Sequence, residues 1–521
     1  MTFFEFRYLT SFLPESWGDL KQIGVSLIFV LALRAGWLAL NRLYWHPLRQ
    51  IPGPLLAGLT EWWEFYFDVI ENGTLVQTLP RLHQKYRSPV IRISPNHVHV
   101  NDPDFYNIVY RAGTDYRKAP SFYKALGYPN SLISILDPQK HRVFRNTIAP
   151  LFSPAALDLC APRIHRVVLR AASKIVDGLQ TGSPIQIQQL YRCLAMDVIY
   201  VTLFGQHGMF VDDYERPHEL ITSIDQFTDR MWLVKHFPIV NKIALNFPGY
   251  ARFRQQCESW VDEVRQRRSR GHLTTSDGIT TIFDAMLQPN EQKGYESRTS
   301  EELIDEAALF IIAGSDTSAY TLTSATYYLL TNPCALARLR NELDTHLLFD
   351  RAACKWEEVR KLPYLTAVIK ETLRLSTPIP GITPRVVPAA GVRVQDYFLP
   401  GGTIVSITHR SIHDNPDIFP EPTLFQPERW LGEKGKALDR WLVAFSKGSR
   451  QCIGSPLAYQ EAALTLAHIF GRFELQLHET DESNMSWVDH AVAVNSKPVQ
   501  VRVLEDRWST DGSFCQPIEQ A

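Results

Sequence analysis

Apolar residues run almost unbroken from Ile23 to Leu40, interrupted by Arg34, close to the roughly 20 residues that cross a bilayer core. The run predicts an N-terminal membrane helix. Arg34 would cost about 2.5–3.5 kcal/mol at mid-membrane, but it lies toward the C-terminal end and can extend its guanidinium to the interface. Pro47, Pro52, Gly53 and Pro54 then interrupt any helix and make a semi-rigid connector. Beyond them, residues 89–93 and His97-Val-His-Val100 bracket Ser94-Pro95-Asn96. The second run alternates strictly, which predicts a small β-hairpin with His97 and His99 on one solvent-facing side. Residues 155 to 298 read as mostly helical. The longest helical pattern runs from Thr299 to Asn332, opening with a Thr299–Glu302 capping box and closing before Pro333. At 1.5 Å per residue it would be about 50 Å long, enough to cross a domain. Helices are also predicted over Pro363 to Leu375 and Pro456 to Phe470, and a polar, irregular tail from Asp506 to Ala521.

Composition narrows the class. With 521 residues, 45% hydrophobic and 21% charged, the chain is globular and large enough to bury a cofactor pocket. A formal net charge of -1 gives no electrostatic case for a nucleic-acid partner. There are 7 cysteines, and Cys160, Cys193, Cys257, Cys334, Cys354 and Cys515 are scattered without metal-ligand pairing. An odd, unpaired set fits reduced thiols and a reducing compartment. No small-residue cleavage pattern follows the apolar run. Arg42 and Arg49 follow it, whereas Glu5, Glu15 and Asp19 outweigh Arg7 and Lys21 before it, so the positive-inside tendency puts the bulk of the chain in the cytosol and the anchor in the endoplasmic reticulum membrane as a single pass. The sequons Asn72-Gly-Thr74 and Asn484-Met-Ser486 would then go unused. The expected division is an anchor over 1–44 and a catalytic domain over 45–521.

The seventh cysteine sits in Phe445-Ser-Lys-Gly448-Ser-Arg450-Gln-Cys452-Ile-Gly454. This loop presents one thiol just before a helix, whose unpaired N–H groups and positive dipole end would lower its pKa and favour an anionic metal ligand. Gly448 and Gly454 would permit turns and close approach. A second oddity is Gly314 inside Ala313-Gly-Ser-Asp-Thr317, because a mid-helix glycine costs about 1 kcal/mol relative to Ala and suggests the close approach of something flat. Glu371 and Arg374, at i and i+3, can pair on one helix face.

Taken together, these stretches resemble the cytochrome P450 family. The cysteine loop matches its signature Phe-x-x-Gly-x-Arg-x-Cys-x-Gly, and Ala313 to Thr317 match its oxygen-activation signature. Glu371-x-x-Arg374, Pro427-Glu-Arg429-Trp and the cysteine loop follow in the family's order. The resemblance implies a mainly α fold with a small β-rich lobe, the cytochrome P450 fold with an N-terminal transmembrane helix, and a haem b whose iron takes Cys452 as its axial ligand. It also implies that Phe445, Gly448 and Gly454 shape the haem site, and that Arg145, Arg385 and Arg450, with His141, contact its propionates. His141 stands where many members have Trp. Asp316 and Thr317 would hold water and relay protons to dioxygen, with a local break in helical hydrogen bonding beside Ala313 and Gly314 to make room. Glu371, Arg374 and Arg429 would form a structural triad fixing the segment that carries the cysteine loop.

By the same analogy Phe227, Met231, Trp232 and Phe237 line the substrate entrance, and Ile379, Ile382 and Val386 form pocket walls. The wording of the cysteine loop, with Ala458-Tyr459 after it and Phe152-Ser153 before it, is similar to fungal secondary-metabolism members, the trichodiene oxygenase group in particular. The expected function is oxidation of a small apolar, terpenoid substrate with O2, using electrons from NADPH passed by a membrane-bound reductase. The expected partners are that reductase and membrane lipid, with no nucleic acid. Two rivals are a P450-fold isomerase or dehydratase, against which the Asp316–Thr317 pair argues, and a non-catalytic haem protein.

Overall fold

The computed structural model describes residues 17–206, 208–216, 218–237, 248–346 and 355–508. Glu5, Arg7, Glu15, Cys354, Cys515 and the tail beyond 508 lie outside the described residues. The principal helices are α1 (Trp17–Tyr44), α2 (Leu75–Tyr86), α3 (Pro138–Ile148), α4 (Pro154–Thr181), α5 (Ile187–Phe204), α6 (Glu219–Thr228), α7 (Met231–His236), α8 (Pro248–Ser269), α9 (Ser300–Thr331), α10 (Pro333–His346), α11 (Pro363–Ser376) and α12 (Ser455–Arg472). The strands are β1 (Val90–Ser94), β2 (His97–Val100), β3 (Arg117–Lys118), β4 (Arg385–Val386), β5 (Val392–Val394), β6 (Tyr397–Leu399), β7 (Ile404–Ser406), β8 (Phe473–His478), β9 (Trp487–Asp489), β10 (Ala493–Asn495) and β11 (Gln500–Asp506). The protein is mainly helical, with small sheets.

The helices share one large core, in which α5 is buried along almost its whole length and packs on α9. The apolar side chains of α5 point inward on most sides, and its charged Arg192 and Asp197 are paired with Asp316 and Arg170. Thr299 caps α9 as its pattern predicts, its hydroxyl and the Glu302 carboxylate closing a reciprocal capping box. Within α1, the stretch Gly24–Tyr44 has a mean hydropathy of 1.6 and buries none of its length, so one N-terminal helix is long and apolar enough to cross a membrane.

The sheet lobe corrects the reading of the two histidines. β1 and β2 do pair antiparallel, but the sheet continues in the order β1-β2-β7-β4-β3, so β2 is an interior strand. His97 is 6% and His99 0% exposed. The His99 Nδ1 lies 2.7 Å from His83 Nε2, and the Thr408 N–H donates to His99 Nε2 at 3.2 Å. His97 meets Ser406 at 2.9 Å. Alternation along a strand reports one buried face only when the other face stays wet, and here both are covered. Among the described residues no group of three or more His, Cys, Asp or Glu could hold a metal ion.

Candidate active site

The loop from Phe445 to Gly454 is folded by its own backbone. The Cys452 N–H donates to the Phe445 carbonyl at 2.9 Å, closing the loop, and Ser446 and Gly448 take positive φ of 57° and 72°. Gly448 is required twice over, because a Cβ there would also come within 2.3 Å of the Tyr110 carbonyl oxygen. Gly454 has an ordinary φ of -81°. A Cβ there would meet only the Cys452 sulfur, at 3.9 Å, so its bareness keeps space clear beside the thiol. α12 begins at Ser455 with Pro456 in its first turn.

The loop rests on a polar knot. Glu371 accepts from Arg374 Nη2 at 2.8 Å and Nε at 3.0 Å, from Arg429 Nε at 3.0 Å, from Trp430 Nε1 at 2.8 Å and from the Gln426 N–H at 3.0 Å. Arg374 also donates to the His413 and Leu424 carbonyls at 3.0 and 3.2 Å. His413 in turn accepts the Val443 N–H at 2.9 Å, two residues before Phe445. The helix-borne ion pair is thereby tied to the start of the cysteine loop. Trp430, Gln426 and His413 were not legible as members, because only the fold brings their donors and acceptors to Glu371 and Arg374.

Above the loop lies a cavity of about 340 Å³. Cys452, Arg450, Phe445, Gly454, Arg145 and His141 line it together with Ala313, Gly314 and Thr317 of α9. The remaining wall is largely hydrocarbon, including Ile199, Leu309, Phe310, Ile369, Leu373 and Ile379. Of the three predicted wall residues only Ile379 faces the cavity. Ile382 packs with Ile91, Ile93 and Leu79, and Val386 pairs with Ile404 in the sheet. The four aromatic and Met residues proposed for the entrance are also engaged elsewhere. Phe227 stacks on Tyr250, Met231 belongs to the main helical core, Trp232 donates to the Asp489 carbonyl, and Phe237 packs on Trp62 and Phe65.

Cations gather at one edge of the cavity. Arg450 donates to the Ile135 and Leu136 carbonyls at 2.7 and 3.1 Å, Arg145 to the Gln451 carbonyl at 2.8 Å, and Lys118 to the Ile133 carbonyl. Arg385 joins from β4, stacked over Tyr110 and Tyr123, with its Nε unpaired. Burial, followed by the other cations, pushes Arg450 down to about 10 and Lys118 well below its ordinary value. The same two causes push His141 down to about 3, so it is neutral. Among the described residues none of these four cations has a carboxylate ion-pair partner. Such a cluster fits a group carrying its own anions. Lys118 was missed in the sequence, where it lies in no motif.

Two expectations fail in detail. The thiol of Cys452 is exposed to the cavity, yet desolvation by the protein walls around it pushes it up. The Gly454 and Ser455 N–H groups and Arg145 push it down, as the helix-terminus argument anticipates, but they do not win. On α9, Ala313 and Thr317 are four apart and share the cavity face, whereas Asp316 is turned away by one helical step. Arg192 Nε donates to Asp316 at 2.8 Å, and the carboxylate lines a second, smaller pocket with Asp225 and His490. Nor is the helix interrupted. α9 is continuous past Gly314, and the Thr317 hydroxyl donates to the Ala313 carbonyl at 2.7 Å. The missing Cβ of Gly314 makes room for α5, since it would stand 2.8 Å from Ile199 Cδ1.

The family model described as Cytochrome P450 matches residues 57–503. Three curated relatives are the cytochrome P450 monooxygenases aneF of Aspergillus aculeatus, phqM of Penicillium fellutanum and BOT1 of Botryotinia fuckeliana. The first is 40% identical over 481 residues, covering 90% of this chain and 97% of the relative. The second is 43% identical over 482 residues, 89% of each. The third is 38% identical over 509 residues, 95% of this chain and 98% of the relative.

Proposed function

The chain belongs to the cytochrome P450 family, among the fungal secondary-metabolism monooxygenases, and on that premise we propose that it oxidises an apolar terpenoid with O2 and electrons passed from NADPH by a reductase. The observation that carries the reading is that one hydrocarbon-walled cavity collects a thiol on its floor, a hydroxyl-bearing helix at its side and the cations Lys118, Arg145 and Arg450 at its edge, with Arg385 beside Arg450. A flat dianionic haem b fits those three features: Cys452 would hold the iron, and Arg145, Arg385, Arg450 and Lys118, with His141, would hold the propionates. The bare Gly454 keeps space clear at the sulfur, and Phe445 and Gly448 shape the loop that presents it. Thiolate-bound haem supplies the activation of dioxygen and the transfer of one oxygen atom to a C–H bond.

The protein's part is positioning. The Thr317 hydroxyl faces the cavity with lone pairs free to hold a water beside Ala313 and Gly314, and Asp316, held by Arg192 on the other side of α9, would pass a proton to that water only by turning from Arg192 toward the cavity. Ile199, Leu309, Phe310 and Leu373 exclude bulk water and suit a hydrocarbon skeleton. Glu371, Arg374 and Arg429 keep the floor rigid. We assign residues 1–44 to a single-pass anchor in the endoplasmic reticulum membrane and 45–521 to a cytosolic catalytic domain that meets the reductase.

Expression in a microsomal host containing reductase, with candidate terpenes supplied, tests the reading. The expected result is a product heavier by one oxygen atom that requires both NADPH and reductase. Conversion without NADPH would point to an isomerase or dehydratase, and haem binding without turnover of any oxidant to a carrier.

A further inference from the structure

One wall of the cavity is built from chain that is neither helix nor strand. Residues 124–137, ahead of α3, contain only turns and bends, yet Leu132 and Ile133 line the cavity together with Leu309 and Phe310 of α9. Irregular chain has no ladder of its own to satisfy its N–H and C=O groups. What fixes this wall has to come from its neighbours.

It comes from charged side chains, of opposite sign along the segment. Two acids of α9 take the N–H groups. The Asn130 N–H and side-chain amide both donate to Asp305 Oδ2 at 3.0 Å, and the Leu132 N–H donates to Glu306 Oε1 at 2.5 Å. Further along, Lys118 and Arg450 take the carbonyls of Ile133, Ile135 and Leu136. Asp305 and Glu306 are 1% and 0% exposed and are braced in turn. Arg254 of α8 donates to Asp305 at 2.5 Å, and Arg298 donates to Glu306 at 3.3 Å and to the Asn130 carbonyl at 2.8 Å. Glu306 stands four, seven and eleven residues before Phe310, Ala313 and Thr317, so it shares their face of α9, about 16 Å along the axis from Thr317.

We propose that Asp305 and Glu306 are positioning residues for the substrate: by holding the N–H groups of Asn130 and Leu132 they set how far Leu132 and Ile133 reach into the cavity, and so how bulky an apolar molecule packs against that wall. The proposal rests on the monooxygenase reading, which gives this wall to the substrate. Neither acid lines the cavity, so both act through the loop. Hydrogen bonds from N–H groups to buried acids are among the stronger ones. Without its acceptor a buried N–H is left unpaired, and the loop relieves that by moving away from α9.

Glu306 serves as an acceptor more than as a charge. Burial pushes its carboxyl up to about 8, against the pull of Arg298 and the Leu132 N–H, and a single guanidinium at 3.3 Å does not offset it. At neutral pH the group is a protonated acid that still offers Oε1 to the Leu132 N–H. Its Oε2 has no hydrogen-bond partner among the described residues. A glutamine therefore reproduces the contact, with its oxygen on the Leu132 N–H and its amide nitrogen in the place of Oε2. A leucine cannot. Asn130 is exposed, and its side chain can be shortened without opening the core.

The test uses full-length haem protein and two nitrogen ligands followed by their absorbance shifts, imidazole and the bulkier phenylimidazole, whose ring packs on the wall. In Glu306→Leu the Kd for phenylimidazole should rise ~10-fold while that for imidazole stays within ~2-fold. Glu306→Gln should match wild type with both. Asn130→Ala should move the ratio of the two constants the same way by ~3-fold, and it decides the matter if Glu306→Leu loads no haem. Hydrogen exchange across residues 127–136 adds a reading that needs no ligand, faster in Glu306→Leu and Asn130→Ala than in wild type and Glu306→Gln. A ratio that neither Glu306→Leu nor Asn130→Ala moves, or that Glu306→Gln moves as far as Glu306→Leu, overturns the role. So does an equal loss of both ligands, which would mean that the site has come apart as a whole. A wild-type spectrum that responds to neither ligand overturns the haem reading, and this role with it.

Discussion

Glu371 and Glu461 are both glutamates sealed inside the helical lobe, at 0% and 2% exposure, and they are held in opposite ways. Glu371 has five donors, three of them on arginine, and binds three segments of chain into one body under the cysteine loop. Glu461 has one hydroxyl and an orphaned oxygen facing a cavity. A carboxylate satisfied from every side ties the surrounding chain together, while burial beside a single hydroxyl partner pushes the Glu461 carboxyl up.

The largest expected effect follows from breaking the first kind. Glu371→Ala leaves two buried guanidiniums uncompensated, at a cost of about 3–5 kcal/mol, comparable with a domain's net stability. The expected outcome is little haem-loaded protein, read from soluble yield and the reduced carbon monoxide spectrum. Haem-replete but slow enzyme would move Glu371 from the scaffold to the chemistry.

Next comes the floor itself. Cys452→Ala keeps the loop closed, because the closing bond to the Phe445 carbonyl comes from the backbone N–H, so the protein should fold while the family's characteristic reduced carbon monoxide band disappears. A normal band in this variant would place the iron ligand elsewhere.

Thr317→Ala addresses the side wall. Its hydroxyl donates to its own helix and contributes no tertiary bond, so haem content, carbon monoxide spectrum and substrate binding should survive. Proton delivery by a positioned group is worth about 10²–10⁴-fold, part of which replacement water recovers. The expected change is more peroxide and less product per NADPH, measured in one assay. Unchanged coupling would leave Thr317 as a helix residue and give its role to Asp316 or Ser315.

The smallest effect is on stability. Glu461 holds its proton to about pH 8 in the folded protein and to its ordinary value of 4.5 when unfolded. Between those values the native state binds the extra proton, so rising pH removes stability across that window, by at most about 1.4 kcal/mol per pH unit. Glu461→Gln should flatten that part of the stability profile, as followed by thermal melting at several pH values. An unaltered slope would show that the carboxyl already ionises at ordinary pH and is better solvated than its surroundings suggest.

Local chemistry determined by the chain alone was readable before folding. The capping box at Thr299, the i,i+3 spacing of Glu371 and Arg374, the closed turn around Gly448 and the apolar run from Ile23 each depend on neighbours within a few residues, and short-range geometry is set by backbone sterics and helical repeat. What only the tertiary structure decided is direction and company. The burial of His97 and His99 came from β7 pairing on the outer side of β2, and the turning of Asp316 toward Arg192 came from α5 lying against α9. Lys118 reached the cation cluster, and Gln426 reached Glu371, from positions with no motif. The residues expected at the entrance, Phe227 and Trp232 among them, found partners elsewhere. Those outcomes depend on which surfaces meet across long loops, and a buried group's pKa, as at His141, is set by the depth at which it comes to rest.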